Sequence, residues 1–492
     1  MGDGLARAVA TDAVNRLSHT SVTPTMPNTT QDRFGALLLG AAALLFAALI
    51  AAVSLTGPLS WIVGIVYICY DTWLLGHMVR TSRRAIAADL AQPAPTATTP
   101  PLSLTVLISA RNERAALPAT LDSVLTQDGG ADKVIVIDDG STDDTLAVLA
   151  ERYGVRFADG AQLGDSPAIP GLAVLRKPNS GKARSLNAAL ALCDTDLVVT
   201  LDADTVLDPG ALAAARRAFA NPELTAACGV LRPSAQPGPL APMFELYQTF
   251  EYMRSFIWRV SWASEKTLVL VSGAFSIFRR EPLAAVGGFD PTSHVEDYEL
   301  LFRLHRASLE GRGRPLDVRV IGDAGATTDV PSHPRVFLRQ RTRWFAGFVE
   351  TMFRNRDKVG NARFGRLGTF HLLVKTIDTL LPLYGLSAFL ALVLFLVRGQ
   401  GIPWPILAAL AAKFVFDFSC HTYCLFLHER WRGRRVTARL FGRAALATLT
   451  EPYFFQFFRQ LGAMLGWVAF LRGRTEWSPQ RPVHLPAERV EE

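Results

Sequence analysis

The sequence predicts an α/β domain, with a mostly parallel sheet and helices on both faces, joined to an α-helical transmembrane region. Three observations carry this. Between Leu104 and about Phe348, the short apolar runs LTVLIS, KVIVID, LAVLRK and DLVVTLDAD are each followed by an amphipathic stretch. Strands that alternate with helices pair in parallel and are covered on both faces. On either side of that region lie uncharged or nearly uncharged segments long enough to cross about 30 Å of hydrocarbon. Finally, 49% of the 492 residues are hydrophobic and 19% charged, below the roughly 25% charged residues of soluble domains, and the length exceeds what one core organises.

Taken in order, residues 1–34 are polar, with no basic start leading directly into an apolar core, and read as a disordered cytosolic leader rather than a signal peptide. Residues 35–80 hold two transmembrane helices, 35–54 and 58–79, divided by Gly57-Pro58, with Asp71 inside the second. Arg80, Arg83 and Arg84 follow and place the next segment in the cytoplasm. Residues 81–101 are expected as a linker, rich in Pro, Ala and Thr from 92 onward. The α/β domain then occupies 102–333, and basic amphipathic interface helices occupy 334–370. Residues 335–366 contain nine Arg or Lys against Glu350 and Asp357 only.

The segment 371–472 returns to membrane composition. It offers spans at about 372–397 and 403–427, and then a stretch, 435–472, that is too long for one crossing and short for two. Arg443, Glu451 and Arg459 interrupt that stretch, and Pro452 sits where it would bend. A re-entrant hairpin keeps the basic tail, 473–492, in the cytoplasm, which a single crossing does not.

Cys69, Cys193, Cys228, Cys420 and Cys424 are odd in number and form no CxxC pair, so neither a disulfide framework nor a zinc site is expected. Cys420, His421 and Cys424 fall in an apolar stretch and read as helix packing. The net charge of +7 is concentrated beside apolar segments, and the basic runs lack the interleaved aromatic platform of a nucleic-acid binder, so no nucleic acid is expected.

Four constellations carry chemistry. KVIVID ends in Asp138-Asp139-Gly140-Ser141, at the strand end where parallel sheets bind ligands. Carboxylates there can accept hydrogen bonds from a base or ribose, although the same residues would also cap a helix. DLVVTLDAD places Asp202 and Asp204 two residues apart, so both can reach one hard cation together with phosphate oxygens. Such a cation answers the charge on a departing diphosphate. Glu296-Asp297 opens the amphipathic stretch LLFRLHR. Its acids suit a helix dipole, or one of them, Asp297, serves as general base toward an acceptor hydroxyl. Gln340-Arg341-Thr342-Arg343-Trp344 offers an arginine for diphosphate oxygens and an indole for a sugar face. It would serve equally as a snorkelling interface helix.

In this order and spacing the four elements resemble the inverting family 2 glycosyltransferases of GT-A fold, in particular the membrane-integrated synthases of cellulose, chitin, hyaluronan and poly-N-acetylglucosamine. The resemblance implies that Asp138 and Asp139 contact the nucleotide, that Asp202 and Asp204 are the DxD binding Mg2+ or Mn2+, and that Asp297 is the catalytic base of a TED motif. Gln340, Arg343 and Trp344 match QxxRW. Ala110, Arg111 and Glu113 fall where the nucleobase is bracketed, Lys182 matches a basic residue near the diphosphate, and Ser272 and Gly273 match an acceptor-side loop. Val295 stands where the family has threonine. Thr475-Glu476-Trp477 and Arg481 resemble a tail that closes over the donor.

The implied activity is transfer of a sugar from a UDP-sugar to an acceptor hydroxyl by a hexosyl- or N-acetylhexosaminyltransferase. The enzyme would be integral to a bacterial-type inner or plasma membrane, with its catalytic domain in the cytoplasm. The acceptor is a growing glycan, giving processive synthesis and export of a β-linked polysaccharide, or a lipid acceptor that receives a single sugar. A membrane receptor that binds the nucleotide sugar without turnover is the reading from another class; the full set of carboxylates argues against it.

Overall fold

The computed structural model describes residues 62–91, 102–311, 315–397, 399 and 404–473. The expected leader, the first apolar span at 35–54, linker residues 92–101 and the tail from 474 lie outside them. At the centre is one sheet: β1 Leu104–Ala110, β2 Lys133–Asp139, β3 Arg156–Phe157, β4 Leu163–Asp165, β5 Leu172–Lys177, β6 Leu197–Asp202, β7 Thr205–Leu207, β8 Leu224–Ala235, β9 Phe275–Arg279 and β10 Asp317–Val330. Their order is β3-β4-β5-β2-β1-β6-β9-β8-β10-β7. The helices are α1 Ile62–Leu90, α2 Leu117–Leu125, α3 Thr145–Tyr153, α4 Lys182–Leu190, α5 Ala211–Phe219, α6 Ala241–Ser264, α7 Arg280–Ala285, α8 Glu296–Leu309, α9 Pro334–Arg354, α10 Leu372–Val397, α11 Trp404–Trp431, α12 Ala438–Thr450 and α13 Phe455–Leu471.

Strands β5, β2, β1 and β6 pair in parallel, as their helical crossovers require. They are buried almost without interruption, so both faces of this half are covered. The expectation of a mostly parallel sheet is corrected beyond β6. Of the pairings in the sheet, β6–β9, β8–β9, β10–β7, β3–β4 and β4–β5 are antiparallel, so the sheet is mixed. The reason lies in β9. Phe275 pairs with Leu201 and Arg279 with Leu197, so β9 starts at the end where β6 finishes and runs back. That sense delivers the Ser272-Gly273 loop to the same sheet edge as Asp202, whose N–H donates to the carbonyl of Ala274 at 3.2 Å.

Residues 81–90, expected as linker, are instead the last turns of α1. Ala, Arg and Leu there favour helix, and Ile86 is driven into the domain core. The Ser82 hydroxyl donates to the Ile257 carbonyl on α6 at 2.8 Å. Helix α1 is thus packed directly onto the α/β core.

Among the described residues α11 is long and apolar enough to cross a membrane, and α12 with α13 passes the same criteria only when the two are taken together. These last two helices are bent by 52° around a short turn, Glu451–Tyr453, that contains Pro452. Cys424 is buried in α11 as packing. Helix α13 lies along α9 through Gly462 and Gly466: a Cβ at the first would strike Arg341, and at the second Phe345 and the backbone of Thr342. Small residues therefore allow the close approach that fixes the QxxRW helix to the C-terminal helices.

Candidate active site

The chain runs from β1 outward through β2 to β5, then returns to β6 on the other side of β1. A reversal of this kind opens a crevice at the C-terminal ends of the strands. Ala110 pairs with Asp138, and Ser109 with Asp202, so Ala110, Asp138 and the first carboxylate of the Asp-x-Asp pair stand on one edge. The loops after β1 and β2 are tied together. Asn112, in a left-handed conformation, accepts at its side-chain oxygen from the N–H of Thr142 at 2.7 Å, and its own N–H donates to the Ser141 hydroxyl at 3.0 Å. The Glu113 N–H donates to Thr145 Oγ1. Arg111 leads this same loop.

Asp138 and Asp139 are both buried but differ in environment. Burial pushes the Asp138 carboxyl up, against the Ser141 N–H that donates to it. Burial also works against ionised Asp139, but Lys177 at 2.6 Å and the backbone N–H groups of Ser180 and Gly181 outweigh it and hold this carboxyl down. Asp139 thereby clamps the β5–α4 turn, which aims Lys182 at the cleft.

Lys182 is the hub of the cluster. Its ammonium is 2.6 Å from Asp202 and 3.3 Å from Glu296, and it donates to the Gly273 carbonyl at 3.2 Å. Burial opposes its charge, yet Asp202 and Glu296 prevail and keep it protonated well beyond the ordinary lysine range. Asp204 faces the Thr205 and Thr328 hydroxyls.

The two carboxylates that open α8 are driven apart. Burial would raise Glu296, but Lys182 and then Arg343 overcome it, and its pKa is lowered. Asp297 is pushed up to about 6, first by burial and then by the charge of Glu296. Its Oδ2 accepts from the Gly273 N–H at 2.8 Å and its Oδ1 from the Tyr298 N–H at 2.8 Å, so the carboxylate is oriented. The two neighbouring acids thus sit in environments that favour opposite protonation states. Glu296 was not singled out as a site residue; its adjacency to Asp297 was the available signal, but only Lys182 across the cleft reveals its role. Val295, in the threonine position, packs on Gly347 of α9, where a Cβ would strike its methyl groups. Valine therefore wedges the start of α8 against α9.

On α9 the Trp344 ring is covered by the Arg341 guanidinium at 4.5 Å, and Arg341 pairs with Glu251 of α6 at 2.6 Å. Gln340 is buried. The geometry thus joins Asp202, Lys182, Gly273, Glu296 and Asp297 directly and brings Arg343 to bear on Glu296, while Gln340 and Trp344 lie on α9, which Arg341 ties to Glu251 of α6.

Among the described residues no three His, Cys, Asp or Glu side chains converge to hold a metal. Asp202 and Asp204 fit a divalent ion of the Mg2+ or Mn2+ kind. Two hard carboxylates are what such an ion takes from a protein when phosphate oxygens complete its shell.

Gly273 gives a direct test. Its φ is not in the left-handed region, so only space restricts it, and a Cβ there would lie 3.0 Å from Asp297 Oδ2 and 3.3 Å from Lys182 Nζ. Gly273→Ala is expected to lower turnover roughly tenfold by displacing the oriented carboxylate, with an unchanged unfolding temperature; unchanged turnover would detach the loop from the site.

A switch-point crevice with buried carboxylates on its edge, an Asp-x-Asp pair and an oriented acid is the arrangement of a GT-A-like domain. The chain carries glycosyl transferase family 2 domains: residues 105–287 match the family described as Glycosyl transferase family 2, and residues 197–414 match Glycosyl transferase family group 2. It is similar to a poly-beta-1,6-N-acetyl-D-glucosamine synthase of Staphylococcus epidermidis, at 24% identity over 69% of this chain and 78% of the relative. A Staphylococcus aureus protein of the same name is 27% identical over 57% of this chain and 62% of the relative. In fold it resembles the mannosyltransferase PcManGT of Pyrobaculum calidifontis, solved with GDP-Man and Mn2+, with a TM-score of 0.50 and 21% identity over 79% of this chain and 98% of that one.

Proposed function

We propose that this chain is a membrane-embedded, inverting polysaccharide synthase that extends a β-linked glycan from a UDP-sugar, with N-acetylglucosamine the favoured sugar. The observation that carries the reading is the Asp297 carboxylate, held by two backbone N–H groups and raised to about 6 beside an ionised Glu296. Asp297 takes the proton of the acceptor hydroxyl as that oxygen attacks the anomeric carbon from the face opposite the diphosphate. Lys182 and Arg343 bring positive charge to the leaving group's side. Asp202 and Asp204 would hold a divalent ion, which would supply neutralisation of the diphosphate charge. Trp344, backed by Arg341, gives the acceptor sugar a flat apolar face.

The relatives' printed activity supports the sugar and the polymer. The membrane half is supported by α11, the bent pair α12 and α13, and large apolar side chains left exposed on them, such as Leu407, Val415 and Leu465. The test is incorporation of radiolabelled UDP-N-acetylglucosamine by purified protein, with product length as the readout. A ladder of long β-linked products is expected. Products lengthened by one sugar only would replace the synthase with a single-transfer enzyme acting on a lipid acceptor.

A further inference from the structure

Away from the cleft, beyond the last strand of the sheet, three arginines converge on one carboxylate. Arg232 grips Asp208 with two hydrogen bonds, at 2.9 and 2.5 Å; Arg432 reaches it at 3.2 Å and Arg434 at 3.8 Å. They line a cavity of about 360 Å³, at the lower end of small-ligand sites. Asp323, at its rim, is largely exposed and pairs with Arg217 instead. The lining holds three guanidiniums against two carboxylates, Asp208 and Asp323, and Glu429, outside the lining, acts on Arg432 and Arg434, so the cavity wall keeps a net positive charge of one.

The site is built rather than incidental. The Arg432 side chain is only 4% exposed, and among the described residues its Nη1 has no hydrogen-bond acceptor. A buried guanidinium N–H without an acceptor is costly unless a ligand supplies one. The backbone makes room for it: at Gly325 a Cβ would collide with Asp208 and Arg432, and at Gly322 with the Trp431 ring. Trp431 is fixed in turn by donating to Asp89 at 2.9 Å. Asp208 itself follows β7, four residues after the DxD aspartate Asp204.

We infer that Arg232, Arg432 and Arg434 form a binding site for a phosphate group, separate from the donor cleft and independent of the function proposed above. Guanidinium forks match phosphate oxygens bidentately and give up hydration more readily than ammonium groups. The cavity opens just past the end of α11, the helix apolar enough to cross a membrane. The phosphate therefore comes either from an anionic lipid headgroup or from a soluble phosphate ester.

The experiment uses the full chain in a neutral detergent. One arm titrates phosphatidylglycerol against diacylglycerol, which lacks the phosphate, with bound lipid counted by native mass spectrometry. The other titrates glycerol 3-phosphate by calorimetry. Saturable binding is expected in at least one arm, weakened about tenfold by Arg434→Gln, whose side chain is 44% exposed, with an unchanged unfolding temperature, and unchanged by Arg435→Gln on the exposed surface beside it. Binding of the lipid alone assigns the site to the membrane, and binding of the ester assigns it to a soluble ligand. Affinity unaffected by Arg434→Gln, equal loss with Arg435→Gln, or no saturable binding in either arm overturns the assignment.

Discussion

Asp297→Asn is expected to lower sugar transfer by about 10²–10⁴-fold, the range that a positioned general base contributes, with donor binding and the unfolding temperature retained. The amide keeps the side chain's size and can still accept one of the two backbone N–H groups that hold Asp297, but it cannot take a proton. Donor-dependent release of nucleoside diphosphate measures the loss; full activity in the variant would remove Asp297 from the mechanism. The pH dependence follows with a definite sign. Burial, then the Glu296 charge, raises the carboxyl to about 6, and a base works only when ionised. The rate should therefore reach its plateau above about pH 7, be half-maximal near the pKa of about 6 and fall as pH drops further. Glu296→Gln removes a negative neighbour and should move the inflection to lower pH, whereas Lys182→Met removes a positive one and should move it higher. A profile without an inflection near 6, or shifts of the opposite sign, would contradict the assignment.

The ease of reading the site from sequence reflects how the fold builds it. Asp138, Asp202 and Asp297 each follow or open a regular element, so a short apolar run or an amphipathic period marks their place. Asp139 and Lys182 were legible as residues but not as neighbours of particular groups. That Asp139 clamps the turn carrying Lys182, and that Lys182 bridges Asp202 to Glu296, depends on β5 lying beside β2 and β9 beside β6. The antiparallel strands were hidden for a similar reason: periodicity reports that a strand exists, while its direction is set by where the preceding loop must end. The linker expected at 81–90 failed because three arginines suggested a membrane boundary, whereas Ile86 and Ser82 bind that stretch to the core.

The larger structural effect is expected at Glu451, in the bend between α12 and α13. Arg254 of α6 contacts both of its carboxylate oxygens, at 2.7 and 2.6 Å, and both side chains are more than nine-tenths buried. Arg459 reaches Glu451 at 3.4 Å and Glu251 at 3.3 Å, and Glu251 holds Arg341, the residue that covers Trp344. One chain of alternating charge therefore runs from the helical bend to α9, the helix bearing Trp344. Removing one member of a buried pair strands its partner, which costs about 3–5 kcal/mol. Glu451→Gln should accordingly produce a large fall in unfolding temperature in detergent and, because Arg459 then turns wholly to Glu251 and competes with Arg341 for it, loss of acceptor binding before donor binding. Replacing both Arg254 and Glu451 by methionine leaves no stranded charge and should recover most of the stability. It should not recover acceptor affinity, since Arg459 still lacks its second carboxylate. Stability and acceptor KM measured on the single and double variants separate the two roles. If the double variant were as unstable as Glu451→Gln, packing at the bend rather than charge pairing would hold these helices to the catalytic domain.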